Sequence, residues 1–157
     1  MAVAATAAAV NAIHFFGIGM AMSAQHTIGH MAWMAVAIGG ALGSMARHGV
    51  NHIVHARWLA TRFPAGTVVV NLAGCLVIGL LAGLLASDRI AMRPNWREFV
   101  FVGLLGGFTT FSTFGLDTFL LARTHSAGQA ALNVALQVVG GLAVVWLGYQ
   151  LGAARSA

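Results

Sequence analysis

The sequence contains no lysine and only three acidic residues, Asp88, Glu98 and Asp117, in a chain of 157. Charged residues make up 7% of the chain and hydrophobic residues 59%, whereas a soluble domain carries about 25% charged residues. This deficit excludes an ordinary soluble domain and indicates an integral membrane protein built as one domain. The single cysteine, Cys75, excludes a disulfide within the chain.

Two function classes are also excluded by what is missing. The eight arginines give a net charge of +5, but they stand singly or at turns and form no basic, aromatic-interleaved face for nucleic acid. The sequence has no P-loop, nucleophile elbow, HExxH motif or paired carboxylates. We therefore expect neither nucleic-acid binding nor enzyme activity.

Charge-free stretches predict four membrane-spanning helices, because a helix needs about 20 mostly apolar residues to cross a bilayer. We place them at residues 32–55, 64–87, 95–122 and 126–154. Asn95 and Glu98 have the spacing of a capping box at the start of the third span. Residues 1–30 are apolar and predict a partly ordered extension, which leaves residues 31–157 as the four-helix domain.

Small residues spaced four apart indicate where these helices approach one another. The pairs are Gly39 with Gly43, Gly79 with Gly83, and Gly103 with Gly107. In lipid such pairs allow two backbones to come close. They predict tight helix packing and carry no information on function.

The arginines are divided almost equally between the two sides of the predicted membrane domain. With four spans, residues 88–98 and the termini carry four arginines, and the loops at 56–62 and 123–125 carry three. Arg47 lies inside the first span near the latter side. Positive charge normally fixes orientation, so its balance predicts insertion in both orientations. An antiparallel homodimer could form from such a chain.

The residues from Gly106 to Phe114, GGFTTFSTF, place glycines and hydroxyls in the middle of the third span. Such residues weaken a helix by offering competing hydrogen bonds, so we predict a break that frees backbone carbonyls at mid-membrane. A small cation such as Na⁺ is one candidate partner for them. Phe108, Phe111 and Phe114 form a stripe that is either core packing or a set of electropositive ring edges facing a small anion.

Other polar residues in the spans leave alternatives open. Asn71 in the second span either bonds neighbouring helices or lines a pathway. Asn133 and Gln137 share a face, and they either extend a polar track with Asn71 or simply bond other helices. Arg47 either snorkels to the interface or stands at a vestibule. Asp117 is either functional or the partner of an arginine. The side chains of His48, His52 and His55 have a spacing compatible with a metal site.

Together these motifs resemble the Fluc/CrcB family of fluoride channels, over about residues 35–150. The residues that carry the resemblance are the Gly39-Gly40-x-x-Gly43-x-x-x-Arg47 motif, Phe63-Pro64-x-Gly66-Thr67 leading to Asn71-x-x-Gly74, and the run from Gly106 to Phe114 with Asp117. The hexapeptide from Thr109 to Phe114 is the most specific of them. Asp117 stands where the family usually has Glu, and Asn133 and Gln137 where it often has a tyrosine and hydroxyls.

The resemblance implies a site for each of these residues. Phe111 and Phe114 would form the phenylalanine box of a fluoride pore, with Asn71 as the pore amide and Thr110 and Ser112 beside it. Arg47 and Asp117 would lie at the vestibule. The carbonyls of Gly106 and Thr109 would hold a structural Na⁺ at the centre of an antiparallel dimer.

The resemblance also implies a function: passive export of cytoplasmic fluoride across the bacterial inner membrane, which relieves fluoride toxicity. A small multidrug-type, proton-coupled transporter is the alternative, but it would need a carboxylate in the first span, and no acid precedes Asp88. An assembly subunit without conduction would leave the polarity of the third span unexplained.

Overall fold

The computed structural model describes residues 30–57, 63–124 and 126–154. Every regular element within these ranges is helical, as the composition predicts. In chain order, the elements are α1 (His30–Arg57), α2 (Ala65–Ala86), α3 (Pro94–Arg97), the π-helical segment π1 (Glu98–Leu105), α4 (Gly106–Phe108), α5 (Phe111–Thr124), α6 (Ala127–Val134), the π-helical segment π2 (Ala135–Gly140) and α7 (Gly141–Ala153).

Three of the four predicted spans are helices long and apolar enough to cross a membrane. These are α2, the third span (Pro94–Thr124) and the fourth span (Ala127–Ala153). At 28 residues, α1 is long enough, but its second half carries arginine and histidine, which lower its hydropathy. The membrane character of the first predicted span therefore stays a prediction.

The helix ends agree with the predicted boundaries to within about two residues, with two differences. His30, the last residue of the predicted extension, already belongs to helix α1, and residues 1–29 lie outside the described part of the chain. The predicted capping box is wrong. Arg93 precedes α3 in extended conformation, Pro94 occupies the first turn, and no side chain caps the helix. Proline has no backbone N–H, so the first turn contains one fewer amide hydrogen that a capping side chain would have to bond.

Glycines bring α1 and the first half of the third span into direct backbone contact. A Cβ added to Gly39 would lie 2.5 Å from the Phe99 carbonyl oxygen, and one on Gly107 would lie 2.6 Å from the Gly40 carbonyl oxygen. Neither position could hold a larger residue without the backbones moving apart. The predicted close packing at Gly39, Gly43, Gly103 and Gly107 is confirmed.

A second glycine crossing joins α2 to α7. Gly79 and Gly83 face the backbone of Val145 and Tyr149, and in return Gly148 and Gly152 face α2. A Cβ on Gly148 would lie 2.5 Å from the Leu76 carbonyl oxygen. The Gly148–Gly152 pair was not singled out from the sequence, although its spacing is the same. The described helices thus include two tightly packed pairs.

The third span changes its packing partner where it loses helical structure, at Thr109 and Thr110. Before this point π1 and α4 pack on α1, and after it α5 packs on α6. The predicted break is therefore confirmed. It lies where the chain passes from one set of helical contacts to another, which places its polar groups beside protein, as polar backbone in a membrane requires.

Candidate functional site

The break is created by a change of partner for one backbone amide. The Thr109 N–H still donates to the Leu105 carbonyl at 3.0 Å, but the backbone of Thr109 is extended, with φ −81° and ψ 162°. The Thr110 N–H does not return to the Gly106 carbonyl, its partner in a regular helix. It donates instead to Asn71 Oδ1, at 2.9 Å. The Gly106 carbonyl therefore loses its helical partner.

Asn71 bonds both backbone polar atoms of Thr110. Its Oδ1 accepts from the Thr110 N–H, and its Nδ2 donates to the Thr110 carbonyl at 3.0 Å. The second N–H of Asn71 donates to Gln137 Oε1 in the fourth span, at 2.5 Å. Both amide hydrogens of Asn71 are therefore used within the chain. Its predicted role as the pore amide stays a prediction, and the contacts show it holding the break.

A chain of side-chain amides continues from Asn71 into the fourth span and back to α5. Gln137 Nε2 donates to Asn133 Oδ1 at 2.8 Å, and Asn133 Nδ2 donates to Thr118 Oγ1 at 2.8 Å. The Thr118 hydroxyl then donates to the Phe114 carbonyl at 2.8 Å. Asn133 is fully buried, with 0% of its surface exposed. We call Asn71, Gln137, Asn133 and Thr118 the amide chain. Asn133 and Gln137 thus bond Thr118 of the third span and Asn71 of the second span, and a role for them in a pathway stays a prediction.

The hydroxyls of the break organise the start of α5. Thr110 Oγ1 accepts from the Thr113 N–H at 3.3 Å and donates to Thr113 Oγ1 at 2.9 Å. Thr110 therefore acts as the N-cap of α5, and it is buried, with 8% exposure. Ser112 is exposed, and its hydroxyl lies 3.4 Å from Thr110 Oγ1.

The two phenylalanines of α5 lie side by side at the break. Their ring centroids are 5.5 Å apart, with the ring planes tilted by 58°. Phe111 is 82% exposed, whereas Phe114 is half-buried. A ring so exposed next to buried threonine is not part of the core of this chain. Its electropositive edge is free to face something outside the chain.

Arg47 and Ser44 of α1 approach the carbonyls on the other side of the break. Arg47 Nη1 donates to the Thr109 carbonyl at 3.2 Å, and Ser44 Oγ donates to the Gly107 carbonyl at 3.4 Å. The guanidinium of Arg47 thus contacts the backbone of the break directly. Its vestibule role stays a prediction, as does the role of the Gly106 and Thr109 carbonyls as Na⁺ ligands.

Asp117 contacts the first turn of α2. Its Oδ2 accepts from Thr67 Oγ1 at 2.8 Å, and Thr67 is itself buried. The carboxylate thereby lies at a helix N-terminus, where the backbone dipole favours negative charge. Among the described residues its partner is a threonine, so the expectation of an arginine partner finds no support there.

The three histidines of α1, His48, His52 and His55, are all exposed. Within the described ranges, no cluster of three or more His, Cys, Asp or Glu side chains is arranged to hold a metal ion. Spacing along a helix face was therefore insufficient to form a three-ligand site.

The sequence missed the role of Thr118. A threonine next to Asp117 carries no spacing signal of its own, and only the approach of α6 to α5 brings it to Asn133. The spacing of Asn133 and Gln137 indicated only that they share a helix face and could extend a polar track with Asn71. The structure adds the hydrogen bond from Asn71 to Gln137, which lies 66 residues away in sequence.

Comparisons with known proteins agree on one family. Residues 34–149 match the family described as CrcB-like protein, Camphor Resistance (CrcB). The chain is 49% identical over 118 residues to the fluoride-specific ion channel FluC of Methylobacillus flagellatus, covering 75% of this chain and 91% of that protein. It is also 49% identical over 122 residues to FluC 2 of Nitrobacter hamburgensis, covering 73% of this chain and 97% of that protein. FluC of Rhodospirillum rubrum is 44% identical over 120 residues, covering 76% of this chain and 92% of that protein.

Proposed function

Because the chain belongs to the CrcB family, we propose that it is a passive, fluoride-selective ion channel. It is an ion channel rather than an enzyme, and an integral membrane protein. The observation that carries the proposal is the polar break of the third span, which keeps hydroxyls and an 82% exposed Phe111 at one point of an apolar helix. We place the channel in the bacterial inner membrane, where it would export cytoplasmic fluoride and lower fluoride toxicity.

The chemistry of the break suits a small, strongly hydrated anion. Such an ion enters a pore only if the pore replaces its hydration shell, and it leaves only if no single site binds it too strongly. Phe111 and Phe114 offer electropositive ring edges, and the exposed hydroxyl of Ser112 offers a donor. Several weak contacts in sequence would favour fluoride over larger halides.

A second copy of the chain is the natural partner for the exposed face of α5. Leu116 is 58% exposed, Phe119 55% and Leu120 46%, all on the helix that carries Phe111. The near-equal arginine counts of the two sides favour a partner inserted in the opposite orientation. We therefore propose an antiparallel homodimer, in which each chain covers the break of the other.

This dimer predicts that the C-terminus reaches both sides of the membrane. A cysteine introduced after Ala154, in a chain whose Cys75 is replaced by alanine, should be labelled by an impermeant reagent from either face of the membrane. Labelling of one face only, with intact vesicles verified by a cytoplasmic control, would contradict dual insertion.

The carbonyls at the break fit a Na⁺ ion at the dimer centre. The Gly106 carbonyl has lost the Thr110 N–H as its helical partner, and Gly106 is exposed. The Thr109 carbonyl accepts from Arg47, but a carbonyl oxygen has two lone pairs and can also bind a cation. When bound, the ion would attract the partial negative charges of carbonyl oxygens that two copies bring together.

Reconstitution into liposomes tests the proposed function. Liposomes loaded with fluoride and made permeable to a counter-ion should release fluoride rapidly through the wild-type protein and chloride far more slowly. Phe111→Ile and Phe114→Ile should each slow fluoride release, because they remove the ring edges. The matched control is Phe99→Ile. Phe99 lies in the same span but contacts Trp96 edge to face, with ring centroids 5.6 Å apart, away from the break. Retention of fluoride by the folded wild-type protein would refute the channel.

A further inference from the structure

The last turns of α1 carry imidazoles that the candidate site at the break does not use. His48, His52 and His55 are all exposed, whereas Arg47 and Ser44 of the same helix donate to carbonyls of the break. Among the described residues, no side chain hydrogen-bonds or ion-pairs with any of the three rings. Their ring nitrogens are therefore available to a ligand from outside the chain.

These rings lie where the first predicted span reaches the polar edge of the bilayer. Helix α1 begins at His30, and about 20 helical residues cross the hydrocarbon region. The first charged residue of the chain is Arg47. In the predicted first span, the turn from His48 to His52 thus stands at the end of the crossing, where aqueous ions can reach it.

The spacing of His48 and His52 suits a metal chelate. Residues four apart in an α-helix are neighbours on one face, with Cβ atoms about 5–6 Å apart, and two histidines at this spacing bind Zn²⁺ in helical metal sites. His55 lies in the last turn before α1 ends at Arg57, where helix geometry is least fixed. The pair from His48 to His52 is therefore the better-ordered one.

The ligand set also indicates which metal would bind. Within the described ranges, no group of three or more His, Cys, Asp or Glu side chains could hold an ion, so this pair leaves coordination positions for water. Imidazole suits Zn²⁺, Ni²⁺ and Cu²⁺, and at a given nitrogen site the affinity order of these ions favours Cu²⁺.

We propose that His48 and His52 form a two-imidazole chelate site for a divalent transition-metal ion, with Cu²⁺ bound most tightly. The site lies outside the hydrogen bonds that organise the break, and it does not depend on the proposed fluoride channel. Chelation makes binding of the second imidazole an intramolecular step, which strengthens the site over a single histidine by about 100-fold or more.

Electron paramagnetic resonance tests the proposal on the full-length protein in liposomes. The probe is Cu²⁺ carried by iminodiacetate, which fills part of the coordination sphere and leaves room for two imidazoles. Echo modulation from the remote ring nitrogens counts the imidazoles on the ion. We expect two in the wild-type protein. His48→Gln and His52→Gln should each show no more than one and weaken binding by about 100-fold.

His55→Gln is the matched control, because it removes an exposed imidazole from the same helix and leaves the pair intact. It should keep two imidazoles and wild-type affinity. The remaining histidines, His14, His26, His30 and His125, are present in every variant, so their contribution cancels. One imidazole in the wild-type protein would overturn the proposal. Two in His48→Gln would assign the chelate to other histidines, and tighter binding of Zn²⁺ than of Cu²⁺ in competition would refute the choice of metal.

Fluoride efflux on the same preparations separates metal binding from folding. All three variants should release fluoride at the wild-type rate without metal, because the replaced rings make no contact with the break. If His48→Gln loses active liposomes, His48→Phe repeats the test with a flat ring that has no nitrogen, and two imidazoles in that variant would overturn the proposal. Fluoride retention by the wild-type protein would refute the channel function and leave the imidazole count as it is.

Discussion

Replacing Gly43 by alanine should destabilise the protein, while the same change at Gly49 on the same helix should not. A Cβ at position 43 would overlap the Leu104 carbonyl oxygen and lie 2.8 Å from the Phe108 nitrogen. A Cβ at position 49 would meet nothing within 4 Å. Both changes replace a glycine inside α1, so their intrinsic helix propensities change by the same amount.

The structure sets the sign and size of each effect. Alanine is favoured over glycine in a helix by about 1 kcal/mol. Overpacking costs about 1–3 kcal/mol, and the upper end applies at position 43 because the obstacle is backbone and cannot rotate away. We therefore expect Gly43→Ala to lower the free energy of unfolding by about 2 kcal/mol and Gly49→Ala to raise it by up to about 1 kcal/mol.

The change at position 43 should also reach the break. Arg47 lies one turn further along α1 and donates to the Thr109 carbonyl. Moving α1 away from Leu104 and Phe108 would lengthen that hydrogen bond, so fluoride efflux should fall together with stability.

Thermal unfolding of the purified protein in detergent checks the prediction, with fluoride efflux measured on the same preparations. Equal stability of the two variants would refute the packing argument, because it would mean that α1 and the third span do not meet backbone to backbone. Destabilisation by Gly49→Ala would mean that this open position is covered in the assembled protein.

Three further changes probe the break and its anchors. Asn71→Leu removes three hydrogen bonds and leaves the Thr110 N–H buried without a partner. It should lower the free energy of unfolding by about 3–5 kcal/mol and reduce the yield of folded protein in size-exclusion chromatography. A wild-type yield would contradict the anchoring role of Asn71. Thr110→Val keeps the side-chain shape but removes the N-cap of α5, and it should lower the free energy of unfolding by about 1 kcal/mol, as measured by thermal unfolding. Thr113→Val should lower it by less, because the cap from Thr110 Oγ1 to the Thr113 N–H is kept. The effects of Thr67→Val and Asp117→Leu on the free energy of unfolding should not add in a double-mutant cycle. We expect a coupling energy of about 1 kcal/mol from the hydrogen bond between the two side chains. Strict additivity would show that this bond contributes nothing to stability.

The residues of the third span made its break predictable. Glycines and hydroxyls in an otherwise apolar helix weaken it locally, and that effect depends only on neighbouring residues. The same holds for the apolar lengths of the spans and for the Gly39–Gly43 and Gly103–Gly107 contacts, since a helix face follows directly from sequence spacing.

The partners of the break could not be predicted in this way. Asn71 bonds Thr110 and Gln137 across 39 and 66 positions of sequence, and no local pattern specifies which helices will bring those atoms together. The capping box predicted at Asn95 is also absent, although it depended only on nearby residues. Pro94 occupies the first turn of α3 and has no backbone N–H for a cap to bond.

By itself, the sequence determined that this chain is an all-helical membrane protein with a polar interruption in its third span. Composition and residue spacing are local properties. In lipid they lead to helices because backbone N–H and C=O groups without hydrogen-bond partners are costly there. Only the tertiary structure decided that Asn71 holds the break and that the same amide bonds Gln137 of the fourth span. That decision depends on hydrogen-bond directions that pass from Thr110 through Asn71 to Gln137, and it exists only once the three spans have packed.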